Sequence, residues 1–268
     1  MSVETIYRWH NSRLVPLDYC DMTDTTVEVA DSWLVTAGTV LGIGLHRQRF
    51  LESMSTGDRA ATDADAFWDA TIALIPAEGD WFPRVELQRR TDSLLLVFRL
   101  RSAPERHRNL IEATWLDGDP RTVPRIKGPD LAAMTRLRTA VQSRGANEAV
   151  ILTNDGYIVE DSHSGLLWWR GDILCGPPAA FDRVDSVTVR SVLTLAAALG
   201  VETYEEAVTP GEIADTELWS LNALHGIRIV TEWIDGPALA QLPGRLTLWR
   251  ARMDALRKPI SAVRNPSR

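Results

Sequence analysis

Cysteine, lysine and long apolar runs are all scarce in this 268-residue chain, and each scarcity excludes something. Cys20 and Cys175 are too few and too far apart for a disulfide scaffold or a thiolate metal site, so no metal centre and a reducing, cytoplasmic setting are expected. The densest apolar run, around Leu94 to Phe98, falls far short of the roughly 20 residues that a bilayer requires. The opening MSVETIYRWH carries Glu4 and no apolar core, so no secretion leader is expected. Excess basic charge is missing too: 36 acidic residues outnumber 29 basic ones, and a net charge of −7 argues against nucleic acid or an anionic membrane as partner. Repeats and low-complexity tracts are absent, while 45% hydrophobic residues suffice for a sizeable core.

What basic charge there is comes almost wholly from arginine. Lysine accounts for two of the 29 basic residues, Lys127 and Lys258, and arginine for the remaining 27. An arginine neither gives up its proton nor condenses with a carbonyl, whereas a lysine amine does both once its pKa is lowered. Lys258 lies in RKPISAVRNPSR, which reads as a solvated tail. Lys127 lies in VPRIKGPDL, between a proline-containing approach and a helix start, and reads either as a loop cation or as an amine with a chemical task.

Two sections are visible along the chain. From Thr5 to about Glu112 an extended candidate, LLLVFRL at Leu94–Leu100, is mixed with helical ones at Gly44–Met54 and Asp63–Leu74. The segment Thr114–Arg125 concentrates Gly, Pro and Asp and suits an interdomain connection, giving an N-terminal α/β domain over 1–113, the connection over 114–125 and a C-terminal domain over 126–268. Pro129 and Asp130 supply first-turn chemistry for a helix that stops at Gly145. AVILT and YIVE around Asn154-Asp155-Gly156 predict a hairpin closed by Glu160, and LLWWR and ILC around Gly171-Asp172 predict another. Consecutive strand positions put Trp168 and Trp169 on opposite faces, one for the core and one for a cleft wall or a subunit contact. Ser186 caps a helix ending at Gly200, whose first N–H groups, with the hydroxyls of Ser186 and Thr188, suit a phosphate as well as an ordinary cap. A surface helix is expected over Arg245–Leu256, with a mobile end after Lys258.

Six short motifs stand in order: HRQRF (46–50), KGPDL (127–131), NEAVILTNDGYIVE (147–160), SGLLW (164–168), SVT (186–188) and NALHGIR (222–228). Together they resemble the class IV aminotransferases, the pyridoxal-phosphate enzymes of fold type IV, over most of the chain and most strongly from Lys127 to Arg228. The resemblance implies an α/β (α+β) two-domain architecture like that of D-amino-acid aminotransferase, with the cofactor cleft between the domains, and a homodimer acting on a small amino substrate. It implies that Lys127 forms the internal imine with pyridoxal 5'-phosphate and later carries the substrate proton, while Glu160 lies under the pyridine nitrogen and keeps it protonated. Arg49 corresponds to the arginine of an H-x-x-R-L pattern that grips the phosphate in bidentate fashion, and Val187 and Thr188 to an Ile-Thr pair that binds the same phosphate at a helix N-terminus.

Departures from the family pattern are Val189 where many relatives have arginine (Arg190 follows one place later), Gly165 in place of the asparagine of S-N-L, and Ala223 in place of a serine or threonine, with Asn222 as a substitute donor. No tyrosine follows the lysine within Gly128–Ala133. The missing tyrosine and N-A-L are more similar to 4-amino-4-deoxychorismate lyase of folate biosynthesis, which releases pyruvate and 4-aminobenzoate, than to the branched-chain or D-amino-acid aminotransferases. A non-catalytic relative with a degenerate phosphate site remains the third alternative. A dicarboxylate substrate needs cations, for which Arg84, Arg89, Arg99, Arg101, Arg121, Arg125 and Arg228 are candidates, Arg228 foremost. His225 in the same loop suits packing or substrate contact.

Overall fold

The structure, a computed structural model, describes residues 4–17, 25–91 and 93–264; Cys20 lies outside them. In chain order come β1 (Glu4–His10), β2 (Arg13–Pro16), β3 (Thr26–Ser32), β4 (Val35–Thr36), β5 (Thr39–Val40), α1 (Ile43–Glu52), α2 (Thr56–Thr62), α3 (Ala64–Leu74), β6 (Asp80–Trp81), β7 (Arg84–Arg89) and β8 (Leu94–Arg101). Then follow β9 (Asn109–Thr114), α4 (Leu131–Gln142), β10 (Glu148–Leu152), β11 (Ile158–Asp161), β12 (Gly165–Arg170), β13 (Ile173–Gly176), α5 (Val187–Ala198) and β14 (Thr203–Glu205). The last elements are β15 (Glu217–Asn222), β16 (Gly226–Ile234), α6 (Arg245–Ala255), β17 (Lys258–Pro259) and α7 (Ser261–Arg264).

The chain divides into two units. The first holds the residues up to Glu105, Ile126–Pro129 and those from Leu256 onward; the second holds Arg106–Arg125 and Asp130–Ala255. In the first unit an antiparallel sheet of order β2-β1-β8-β7-β3 has one apolar and one polar face. Alternation along β7 and β8 sends Val85, Leu87, Leu96 and Phe98 to a core shared with Phe50 of α1 and with Phe67, Trp68 and Ile72 of α3. The intervening residues, Arg84, Glu86, Arg99 and Arg101 among them, therefore take the other face. A small sheet of order β17-β5-β4-β6 completes this unit.

The second unit is built on an eight-stranded mixed sheet of order β11-β10-β9-β16-β15-β12-β13-β14. Val150, Ile158, Leu166, Trp168, Leu218 and Val230 pack on one face, while Ala149 and Ile151 meet Met134, Leu137 and Val141 of α4. Both expected hairpins are present, β10–β11 and β12–β13.

The division differs from the expected one in three ways. β9 pairs with β10 and β16, so Asn109–Thr114 belongs to the second unit rather than to an N-terminal domain ending at 113. Lys127 and Gly128 join the first unit, because Ala30 N donates to Lys127 O at 2.6 Å along the edge of β3. The chain also returns after Leu256: Lys258 pairs with Val40, and Ile260, 1% exposed, enters the core of the first unit. A single isoleucine in a polar, proline-containing stretch gives no periodic signal, which is why Lys258 reads as tail from sequence. Trp169 corrects another expectation, since it is buried and packs edge-on against Trp219 and Trp249 of α6, so it walls no cleft.

Candidate functional site

In the first unit, β3 organises the environment of Lys127. Gly128 has φ +152° and no room for a side chain, because a Cβ there would lie 2.8 Å from Val29 Cα. Glycine is thus what allows the lysine segment to lie flat against β3. One residue past that contact, Asp31 points into the interior with no exposure at all. Its Oδ2 accepts from Arg49 Nε and its Oδ1 from Arg49 Nη2, both at 2.8 Å, and Oδ1 also lies 2.8 Å from His46 Nδ1.

Burial opposes the charge on Asp31, but Arg49 and His46 outweigh it and hold the carboxyl far below the usual range. Burial lowers the pKa of His46 despite Asp31, helped by the neighbouring charges of Arg49 and Lys127. The ring is therefore neutral, and facing a carboxylate it must carry its proton on Nδ1 and donate it. The two-pronged grip of Arg49, expected on a phosphate, is engaged by Asp31 instead. Asp31 escaped the sequence reading; its signal is the second of two acids, Glu28 and Asp31, in the otherwise largely apolar strand text VEVADSWLV.

In the second unit Glu160 is 7% exposed and paired with Arg121 Nη1; Arg121 also holds Asp119 through Nη2 at 2.7 Å. Burial works against the charge on Arg121, yet Asp119 and Glu160 raise its pKa. Arg121 is thus a partner of Glu160 and not a spare cation for substrate. Asp130 stands at the N-cap of α4 without a side-chain cap hydrogen bond; its carboxylate accepts from Thr122 N and Val123 N, both at 2.9 Å, and fixes the segment that carries Arg121.

At the start of α5, Ser186 Oγ accepts from Val189 N at 3.3 Å, leaving the N–H groups of Val187 and Thr188 without an intrahelical partner. A Cβ on Gly165 would stand 2.7 Å from Val189 Cγ2. The two departures from the family pattern are therefore one feature: the valine occupies the space that a side chain at 165 would need.

The loop 222–228 is bound inward. Asn222 Oδ1 accepts from Leu224 N at 3.1 Å and His225 N at 2.8 Å, and its Nδ2 donates to Ser164 Oγ at 3.0 Å, so Asn222 shapes the turn that presents Ala223. His225 accepts from His107 N at 3.1 Å, and burial with the nearby Arg228 pushes its pKa down to about 3. It is a neutral packing residue. Arg228, expected foremost for substrate, is 2% exposed and donates to Ser164 Oγ at 3.0 Å and Ser220 Oγ at 3.2 Å, beside Glu148 at 3.4 Å. Sequence position alone could not separate such an internal cation from a binding one.

Arg228 sits among three buried acids. Glu148 is held at about 2: burial opposes its charge, but His163, Arg228 and Ser162 overcome it. Burial raises Glu112 well above its ordinary range, with Asp161 adding to the effect. Burial and Glu148 push Asp161 up to about 8. Apart from the hydrogen bond that Glu112 and Asp161 make with each other, neither oxygen of Glu112 nor Asp161 Oδ1 has a donor among the described residues. Two carboxyl groups so placed keep at least one proton between them.

The remaining candidate arginines separate cleanly. Arg125 pairs with Asp182 at 2.6 Å on the surface, and Arg89 with Glu28 at 3.0 Å. Arg84, Arg99 and Arg101 alone are brought together, on the polar face of the first unit's sheet. Among the described residues no group of His, Cys, Asp and Glu could hold a metal ion, and no helix is long and apolar enough to cross a membrane.

No curated protein sequence matches the chain. Its fold is similar to that of a hypothetical aminotransferase from Mycobacterium tuberculosis (TM-score 0.74, 16% identity, covering 97% of this chain and 99% of that one). It is also similar to branched-chain aminotransferases from Thermoproteus uzoniensis (TM-score 0.76, 17% identity, 96% and 99% covered) and Escherichia coli (TM-score 0.75, 14% identity, 94% and 94% covered). At these identities the likeness is one of fold. The profile of the amino-transferase class IV family matches residues 28–233, which contain Lys127, Arg49, Glu160 and the start of α5. A match over that span, on a fold of this kind, places the chain in the class IV aminotransferase family, whose members are pyridoxal-phosphate enzymes.

Proposed function

We propose that within this family the chain is a lyase of the 4-amino-4-deoxychorismate type, releasing pyruvate and leaving 4-aminobenzoate. The observation that carries a role for Lys127 is its placement: the one lysine away from the C-terminal segment is pinned through its own carbonyl to β3, next to a glycine that admits no side chain.

The residues fit pyridoxal phosphate in most respects. Lys127 is the amine for its aldehyde, and Glu160, steadied by Arg121, is the carboxylate for its ring nitrogen. The helix start at Val187 and Thr188, approached closely by Gly165, is a cradle that a Cβ would fill. Arg49 fits less well, because its Nε and Nη2 are taken by Asp31; the phosphate is assigned first to Val187 and Thr188. When bound, the cofactor supplies an aldehyde that takes up an amine and a ring that withdraws electrons from the carbon bearing it.

Lys127 Nζ then removes the proton from the substrate carbon that bears the amine. In the elimination that electron pair expels the enolpyruvyl ether oxygen, and aromatisation makes the step irreversible. In amino transfer Lys127 returns the proton elsewhere, so the lysine serves either course and the substrate decides. The absence of a tyrosine in Gly128–Ala133 and the N-A-L turn at Asn222–Leu224 support the lyase. Similarity of fold to branched-chain aminotransferases supports amino transfer as the second reading. A cytoplasmic homodimer is the setting proposed by resemblance.

The test is paired. Pyruvate released from enzymatically made 4-amino-4-deoxychorismate, without keto acid from leucine, isoleucine or D-alanine plus an acceptor, is the expected result. Keto acid without pyruvate overturns the lyase in favour of the transferase, and a colourless protein inert in both overturns both in favour of a non-catalytic relative.

A further inference from the structure

The polar face of the first unit's sheet carries a cavity of about 530 Å³, lined by five arginines and two glutamates from β1, β7, β8 and their ends. That volume lies within the usual range for small-molecule sites. Its charge runs against that of the whole protein, which is acidic at −7.

The centre of the cavity wall is one carboxylate shared among too many cations. Glu86 is 2% exposed; its Oε1 lies 2.7 Å from Arg84 Nε and 3.1 Å from Arg99 Nε, and its Oε2 accepts from Gln88. Arg99 reaches Glu4 only at 3.7 Å. Arg101 donates Nε to Phe82 O at 2.7 Å, and its guanidinium carbon lies 4.9 Å from the centre of the Phe82 ring. Among the described residues no carboxylate comes within ion-pair distance of Arg101.

Burial disfavours the charge on Arg84 more than Glu86 restores it, with Arg99 adding to the effect, and burial with Arg84 does the same to Arg101. Side chains only about a fifth exposed, as Arg84 and Arg99 are at 22% and 21%, lose hydration while sharing the single carboxylate of Glu86. A surface stripe of arginine would not be gathered so around a concavity. An incoming anion would supply the missing acceptors in a geometry that guanidinium groups favour.

We propose that this cavity binds a small ligand carrying two anionic oxygen groups, carboxylate or phosphate, held by Arg84 and Arg101 with Arg99 between them. That the ligand is the enzyme's substrate rests on the function proposed above; the anion site itself does not. A doubly charged substrate is what the lyase requires, and Ile6, Leu17, Val27, Leu95 and Val97 line the cavity beside the arginines.

The experiment titrates the cofactor-treated full chain by calorimetry with succinate, isophthalate and inorganic pyrophosphate, and with acetate, all at one fixed ionic strength. The dianions are expected to bind at least about tenfold more tightly than acetate, the equivalent of about 1.4 kcal/mol. Dicarboxylates ahead of pyrophosphate identify a carboxylate site, and the reverse order a phosphate site. Arg101→Gln and Arg84→Gln should each weaken the best ligand at least about tenfold, Arg101→Lys less, and Arg89→Gln not at all. Dianions no better than acetate, or full affinity in both Gln variants, overturn the proposal. The visible band of bound cofactor, recorded on the same samples, reports separately: a chain that binds dianions but not the cofactor sinks the catalytic reading and spares the site.

Discussion

Replacing Glu112 and Asp161 together by Gln and Asn should make the protein more stable, and by an amount that grows with pH. Both acids are enclosed, at 0% and 1% exposure, and their ordinary pKa values are 4.5 and 3.8. Above about pH 5.5 the unfolded chain has lost both protons, while the folded pair keeps at least one. The folded state then binds more protons than the unfolded state, so stability falls as pH rises, by about 1.4 kcal/mol per pH unit for each retained proton. This loss runs from the ordinary carboxyl range up to about 8, where Asp161 itself titrates.

Between pH 5.5 and 7.5 the wild type should lose about 3 kcal/mol relative to the double variant. His46 and His225 titrate in both proteins and cancel in the difference. The amides keep the shape of the pair, and the amide oxygen introduced by Asp161→Asn can still accept from Ser220 Oγ, which now donates to Asp161 at 2.7 Å. Urea unfolding followed by tryptophan fluorescence, with ten tryptophans as reporters, gives the difference at each pH. A difference that stays constant over those two pH units would show that the pair is fully ionised and the reasoning wrong.

Other consequences follow from single side chains. Asp31→Ala removes the buried carboxylate that holds both Nε and Nη2 of Arg49 and should cost about 3–5 kcal/mol in chemical denaturation. Gly128→Ala combines a strained φ with a Cβ 2.8 Å from backbone and should cost at least about 2 kcal/mol, read as a lowered Tm. Trp219→Ala removes the centre of the Trp169–Trp219–Trp249 cluster and should cost about 3–5 kcal/mol.

Local chemistry made much of the fold readable. The hairpin turn at Asn154–Gly156, the Ser186 cap and the apolar spacing of α3 and α5 each state their element within a few residues. Long-range pairing does not announce itself that way. Nothing in Asn109–Thr114 says that it belongs to the second sheet, and nothing in Ile260 says that the chain comes home to the first core. The same limit applies to charge. Arg84, Arg99, Arg121, Arg125 and Arg228 look alike in the sequence, and only the fold sorts them into a cavity wall, a partner for Glu160, a surface pair and an internal tie. Lys127 was legible because lysine is rare here and its neighbours fit a family; Asp31 was not, because a buried acid has no local signature beyond its apolar surroundings.

Borohydride reduction of the cofactor-treated protein, followed by peptide mass mapping, tests the central claim most directly. The expected result is a pyridoxyl phosphate group fixed on the peptide containing Lys127, and loss of both the adduct and the visible band in Lys127→Ala. Label on Lys258 instead, or a band that survives the substitution, would contradict it.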